Sequence, residues 1–79
     1  MLEKMRAYIS EQLNVDPEEI QMNTDFREDL GADSLDLYEL AMNLEDEYSL
    51  EIPVEELQEM HTVADVIRYL NAHGIDENS

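Results

Sequence analysis

The chain has 79 residues, of which 21 are Asp or Glu and only 4 are Lys or Arg, so its formal net charge is −17 at pH 7. This length predicts a single domain, residues 1–79, with a modest core, and the charge disfavours nucleic acid and anionic membranes as partners while favouring basic protein surfaces. Because the sequence has no Cys, no long apolar run and no apolar N-terminal signal segment, we expect no disulfide, no protein thiol and a soluble protein in the cytoplasm. We also expect a monomer.

The first helix is predicted over residues 2–13, where four apolar residues follow helical spacing: Leu2, Met5, Ile9 and Leu13. Asn14 is a reasonable end. The connection that follows, residues 14–33, is long for a small domain and begins with a helical turn at Asp16-Pro17, where Glu19 occupies the capping-box position. We expect four apolar side chains to pin this connection to the core: Val15, Ile20, Phe26 and Leu30.

The longest helix is predicted over residues 34–49. Asp33 is a good N-cap residue, and Asp36 stands three positions later, so a carboxylate version of the capping box is expected. One face of this helix has the spacing of a core contact and consists of Leu37, Leu40, Ala41, Leu44 and Tyr48.

The same helix carries a second apolar stripe, formed by Leu35, Tyr38 and Met42. Acidic residues surround this stripe: Glu39, Glu45, Asp46 and Glu47. The stripe is either the margin of a wide core face or a surface on which a partner docks transiently. We favour docking, because Met adapts well to surfaces that meet several partners.

Two further helices are predicted towards the C-terminus. Pro53 begins a short one within residues 50–60, at its first position. Thr62 caps the last one, residues 62–73, with Asp65 completing a capping box, and Gly74 ends it. Residues 75–79 are expected to fray. The fold class is therefore all-α, a small bundle of three main helices plus one short helix.

Ser34 would lie in the first turn of the longest helix, beside backbone N–H groups without a helical acceptor. Such a place favours a phosphate. Ser34 is thus either an ordinary polar residue of a helical turn or the attachment point of a phosphate-linked group.

Catalytic and metal sites are not indicated. There is no G-x-S-x-G motif and no evident base for Ser34. An EF-hand loop starting at Asp25 would need Gly where Leu30 stands. His61 and His73 fall beside helix ends, where solvated or capping roles are expected, and no further His or Cys supports a metal site.

The octamer Asp29–Asp36, DLGADSLD, resembles the prosthetic-group motif of the acyl carrier proteins, specifically the freestanding carriers of bacterial type II fatty-acid synthesis. The likeness extends along nearly the whole chain, through size, acidity, helix order and further segments: Glu39-Leu40, Leu44–Tyr48, Glu51–Pro53 followed by Glu55-Glu56, Thr62-Val63 and Ile67–Leu70.

The resemblance implies that Ser34, next to Asp33, is esterified by 4′-phosphopantetheine, which a Mg-dependent phosphopantetheinyl transferase takes from coenzyme A. The cofactor would bring the thiol that this chain lacks and carry acyl groups as thioesters. The protein would then be a carrier and not an enzyme.

The resemblance also implies a partner surface and an acyl pocket. The expected partners are the transferase and basic-surfaced acyl-processing enzymes. They would meet the partner surface, formed by Leu35, Asp36, Tyr38, Glu39, Met42, Glu45, Asp46, Glu55 and Glu56. The acyl chain would lie among Phe26, Leu40, Leu44, Ile52, Leu57, Met60 and Val66.

Five residues depart from what is common in that family. Leu37 stands where Thr is often found, and Val54 follows Pro53 where an acidic residue is usual. Tyr38 replaces a small or β-branched residue on the partner surface, so we expect it to alter partner choice. Leu57 and Val66 are bulkier than the Ala often found at these positions, so we expect them to shorten the space for an acyl chain.

Two other functions stay open. One is a carrier dedicated to polyketide assembly or another specialised acyl pathway. Leu37-Tyr38 supports this alternative, whereas the Gly31–Asp36 run favours fatty-acid synthesis. The other is an acidic interaction protein that never carries a cofactor.

Overall fold

The structure is a computed structural model that describes residues 2–75. It contains four α-helices in chain order: α1 (Leu2–Leu13), α2 (Ser34–Tyr48), α3 (Val54–Gln58) and α4 (Val63–Ala72). A 3-10 turn, Pro17–Glu19, lies between α1 and α2. Residues 2–75 form no named β-strand, and the predicted all-α bundle of three main helices and one short helix is confirmed.

The core is built from the helical stripes seen in the sequence. In α1, Met5 and Ile9 are fully buried, while Leu2 and Leu13 are half-buried at its two ends. The core face of α2 is buried except for Tyr48, which is half-buried. α4 contributes Val63, Val66, Ile67 and Leu70.

The connection between α1 and α2 is fixed against the start of α4. The N–H groups of Val63 and Ala64 donate to the carbonyl oxygens of Thr24 and Met22, at 3.1 and 2.8 Å. The first N–H groups of a helix have no acceptor within the helix, so these loop carbonyls satisfy them. Ile20 and Phe26 are buried beneath the connection, as predicted, and Val15 and Leu30 are half-buried.

The end of α2 and the start of α3 differ slightly from the prediction. α2 ends at Tyr48, because Ser49 adopts the left-handed conformation (φ 54°). Pro53 is the N-cap residue of α3, one position before the helix. Asp16 caps the 3-10 turn as predicted, but its side chain accepts from the N–H of Glu18 and not from that of Glu19, which donates to the Asp16 carbonyl at 3.0 Å.

The prediction of a frayed end from residue 75 is wrong for Ile75. This residue is buried, and its N–H donates to the carbonyl of Leu70 at 2.9 Å. Gly74 (φ 83°) donates to Asn71 at 3.1 Å. These two bonds form a Schellman motif, which turns the chain so that Ile75 reaches the core. Residues 76–79 of the predicted tail lie outside the described residues.

Candidate functional site

Ser34 is the first residue of α2, and its side chain is exposed. The predicted capping box is confirmed: Asp33 Oδ1 accepts from the N–H of Asp36 at 2.9 Å, and Asp36 Oδ2 accepts from the N–H of Asp33 at 3.3 Å. Because both bonds are local, the sequence fixes where the helix begins. The hydroxyl of Ser34 therefore stands at the helix N-terminus and faces solvent.

The turn before Ser34 is held by side-chain and backbone hydrogen bonds. Asp25 Oδ1 accepts from the N–H groups of Arg27 and Glu28, both at 2.9 Å. The bond from Glu28 is the main reason that the pKa of Asp25 lies below its ordinary value. Gly31 is left-handed (φ 68°), a conformation that favours Gly. This turn delivers the chain into α2 at a fixed point.

Arg27 is the functional candidate that the sequence analysis missed. Its Nη2 donates to Ser34 Oγ at 3.2 Å. The sequence held a weak signal for it: Arg27 is one of only four basic residues in an acidic chain, and it lies seven residues before Ser34.

Two helix N–H groups beside Ser34 are open to an anion. The N–H of Asp36 is occupied by the capping box, but within residues 2–75 the N–H groups of Ser34 and Leu35 have no acceptor. Free N–H groups at a helix N-terminus favour negative charge. Together with the guanidinium of Arg27, they fit a phosphate bonded to Ser34.

Ser34 lines a surface depression of about 60 Å³. The loop before α2, α2 itself and α3 supply its lining residues: Arg27, Ser34, Leu37, Tyr38, Leu57 and Gln58. Two of these residues, Leu37 and Leu57, also line an apolar cavity in the interior. They therefore separate the surroundings of Ser34 from the core.

The interior cavity is almost filled by side chains. Its volume is about 10 Å³, the space of a single water molecule. All seven residues predicted for the acyl pocket line it, and Leu37 and Ala41 line it as well. An acyl chain could enter only if these side chains moved apart.

The second apolar stripe of α2 lies on the surface. Leu35, Tyr38 and Met42 are 65%, 38% and 61% exposed, so they do not belong to the core. Of the acidic residues predicted for the partner surface, Glu39, Asp46, Glu55 and Glu56 are exposed and Asp36 is half-buried. Glu45 is half-buried too, and its Oε2 accepts from the N–H of Ile52 at 2.9 Å, which ties α2 to the segment before α3.

The chain matches a family model described as "Phosphopantetheine attachment site" over residues 3–70. The chain belongs to the acyl carrier protein family. Acyl carrier proteins of Clostridium acetobutylicum and Wolinella succinogenes are each 47% identical to it over 73 residues, which is 92% of this chain and 95% and 96% of theirs. The acyl carrier protein of Thermosynechococcus vestitus is 49% identical over 71 residues, covering 90% of this chain and 88% of that protein.

The fold agrees with this family. A solved chain from Mycobacterium tuberculosis, assigned as an acyl carrier protein, superposes with a TM-score of 0.83 at 35% identity. The match covers 91% of this chain and 96% of that chain. The likeness thus extends over about nine-tenths of the chain.

Membership of this family defines the class of protein. Acyl carrier proteins are carriers and not enzymes, and their cofactor is phosphopantetheine. When bound, phosphopantetheine supplies a terminal thiol on which acyl groups are carried as thioesters. Three features of this chain fit such a group: the exposed hydroxyl of Ser34, the two free N–H groups at the start of α2, and the guanidinium of Arg27.

Among residues 2–75, no three or more His, Cys, Asp or Glu side chains are grouped to hold a metal ion. None of the helices in that range has the length and apolar character needed to cross a membrane.

Proposed function

We propose that this acyl carrier protein carries growing acyl chains for bacterial fatty-acid synthesis, on a phosphopantetheine arm attached to Ser34. The observation that carries the proposal is the position of Ser34. Its exposed hydroxyl stands at the N-terminus of α2, within a family whose members carry this arm. Asp33 supports the site by capping the helix, because its carboxylate fixes the turn from which Ser34 projects.

The attachment needs only an oxygen atom from this chain. The Ser34 Oγ–H bond is replaced by an Oγ–phosphorus bond, and the pyrophosphate bond of coenzyme A breaks. The adenosine bisphosphate half of coenzyme A leaves, and a base of the transferase takes the hydroxyl proton. A separate transferase is therefore consistent with a Ser34 that contacts Arg27 and no general base within residues 2–75.

Partner enzymes would dock on the partner surface. Its apolar centre, Leu35, Tyr38 and Met42, supplies area that a complex removes from water. The exposed carboxylates around it, together with a chain charge of −17, steer basic surfaces towards it. This combination suits fast and transient binding, as expected of a monomeric cytoplasmic carrier that serves several enzymes.

A second function within the family is a carrier dedicated to a polyketide or another specialised acyl pathway. Tyr38 is the observation that favours it, since a large aromatic side chain stands both on the partner surface and beside Ser34. An acidic interaction protein without a cofactor is the remaining alternative, and the family match disfavours it.

The attachment is tested by intact mass. The chain is incubated with coenzyme A, Mg²⁺ and a broad-specificity phosphopantetheinyl transferase, and the chain is then weighed. We expect a gain of one phosphopantetheine group, lost in Ser34→Ala and kept in Ser49→Ala, an exposed serine at the other end of α2. No gain, or a gain that survives Ser34→Ala, would overturn the proposal.

The pathway is tested with the modified chain. Reconstituted bacterial fatty-acid synthesis enzymes, given this chain as their only carrier, are expected to produce fatty acids at a rate close to that with their own carrier. A modified chain that supports no elongation would instead favour the specialised pathway.

A further inference from the structure

We propose that Arg27 is the phosphate-positioning residue of this carrier: its guanidinium binds the charged oxygens of the phosphodiester formed on Ser34. This inference rests on the proposed function, because it requires the arm to be attached at Ser34. It concerns a contact that this chain makes with the arm through a residue outside the Asp29–Asp36 motif.

The geometry is already in place before the arm is attached. Arg27 Nη2 donates to Ser34 Oγ at 3.2 Å, and this oxygen is the atom to which phosphorus would be bonded. The charged oxygens would then be bonded to the same phosphorus atom, within reach of the same guanidinium. The phosphate oxygens carry a negative charge, and an Arg–phosphate pair can form two parallel hydrogen bonds, so the guanidinium would prefer these oxygens to the neutral Oγ.

The backbone of Arg27 is fixed on both sides. Its N–H donates to Asp25 Oδ1 at 2.9 Å, and its carbonyl accepts from the N–H of Gly31 at 3.2 Å. The preceding residue, Phe26, is fully buried and bonds through its N–H to the carbonyl of His61. The side chain of Arg27 therefore projects from a rigid base, which lowers the entropy lost when it binds an anion.

The charge of Arg27 is not committed to a carboxylate. Within residues 2–75 its guanidinium forms no ion pair, whereas Arg6 pairs with Glu3 and Arg68 pairs with Asp65. Arg27 helps to lower the pKa of Asp25, but only as a minor cause. In a chain with 21 acidic residues, a guanidinium directed at a serine hydroxyl is available to an anion placed there.

The site needs such a cation. The capping box places the carboxylates of Asp33 and Asp36 on either side of Ser34 along the chain, and both would repel a phosphodiester. The free N–H groups of Ser34 and Leu35 offset part of this repulsion. Arg27 adds a full positive charge from the loop before α2 and lines the same depression as Tyr38 and Gln58. Binding at Arg27 would thus start the arm beside this depression.

The test compares the carrier with and without the arm, in the native chain and in Arg27→Gln and Arg27→Lys. The first readout is the ³¹P chemical shift and relaxation of the phosphodiester. The second is the melting difference, which is the melting temperature of the chain with the arm minus that of the chain without it. Both are measured at low salt. In Arg27→Gln we expect the ³¹P signal to move towards that of free phosphopantetheine. The melting difference should fall by roughly 2–4 °C, as expected for an exposed ion pair in a domain of this size.

Arg27→Lys should recover part of both effects, because it keeps the charge and loses the planar donor geometry. Arg68→Gln is the matched control, since it removes an exposed Arg from α4 and should leave the ³¹P signal unchanged. A ³¹P signal and a melting difference that are the same in Arg27→Gln as in the native chain would overturn the inference. A chain that gains no mass from the transferase overturns the proposed function and this inference with it.

Discussion

The N–H of Phe26 donates to the carbonyl of His61 at 3.0 Å. This bond joins the turn that precedes Ser34 to the residue before Thr62, the N-cap of α4. Asp65 supports the same junction, because its Oδ2 accepts from the N–H groups of His61 and Thr62 at 2.9 and 3.1 Å. The conformation of the loop that presents Ser34 is therefore coupled to the N-terminal cap of α4.

Replacing Asp65 by Asn should destabilise the fold in a pH-dependent manner. The pKa of the Asp65 carboxyl lies below its ordinary value, mainly because the N–H of His61 donates to it. A carboxyl with a lowered folded pKa stabilises the fold above its unfolded pKa, and this stability is lost as the pH falls through the folded pKa. In Asp65→Asn we expect a loss of about 1 kcal/mol near neutral pH, or roughly 4–8 °C.

The measurement is thermal unfolding near neutral pH and at about pH 3. The difference in melting temperature between the native chain and Asp65→Asn should be smaller at the lower pH, because the Asp65 carboxylate loses part of its stabilising effect there. Asp46→Asn, at an exposed carboxyl of α2, is the control and should show no destabilisation. If Asp65→Asn lowers the melting temperature equally at both pH values, the ionised Asp65 carboxylate is not the source of the stability.

Salt should stabilise the fold. The net charge of −17 makes the folded state repel itself, and dissolved ions screen this repulsion. We expect the melting temperature to rise from about 0.01 M to about 1 M salt, as the Debye length falls from about 30 Å to about 3 Å. Divalent cations should act at lower concentrations. A melting temperature that stays flat over this range would count against charge repulsion as a major destabilising effect.

Leu57→Ala should enlarge the space available to an acyl chain. Leu57 lies at the boundary between the depression beside Ser34 and the interior cavity of about 10 Å³. We expect the unacylated variant to lose about 2 kcal/mol, because a cavity opens in the core. A long acyl chain should restore more of this stability than a short one.

The measurement is the melting temperature of the native chain and Leu57→Ala, each loaded with short and long acyl groups. Leu70→Ala is the control, since Leu70 is fully buried and does not line the cavity. Long and short chains that stabilise Leu57→Ala equally would refute Leu57 as a limit on chain length.

Tyr38→Val should change how partners bind. Tyr38 is 38% exposed on the partner surface and lines the depression beside Ser34. Truncating an aromatic side chain at an interface often costs about 1 kcal/mol or more, so we expect about a fivefold weaker complex with the transferase. Met22→Ala, at an exposed residue outside the partner surface, is the control. If no partner distinguishes Tyr38→Val from the native chain, Tyr38 has no part in partner choice.

The sequence predicted the features that depend on local hydrogen bonds and helical periodicity. The capping boxes Asp33/Asp36 and Thr62/Asp65 each join residues three positions apart, so side-chain chemistry alone indicated both. The exposed stripe through Tyr38 could be inferred because a separate face of the same helix already had the spacing of a core contact.

Features that depend on contacts between distant segments could not be predicted. The bonds from Val63 and Ala64 to the connecting loop use backbone carbonyls, which leave no mark in the sequence. Ile75 looked like part of a polar tail, but the turn at Gly74 returns it to the core. The contact of Arg27 with Ser34 requires the folded turn between them, so the motif alone did not reveal it.

Locating the added group on the modified chain is the sharpest test of Ser34 as the tether of the arm. The modified chain is cut with a protease specific for acidic residues, and the peptides are fragmented in a mass spectrometer. We expect the added phosphopantetheine on Ser34 alone. A group found on Ser10 or Ser49 instead, or on no residue at all, would contradict this expectation.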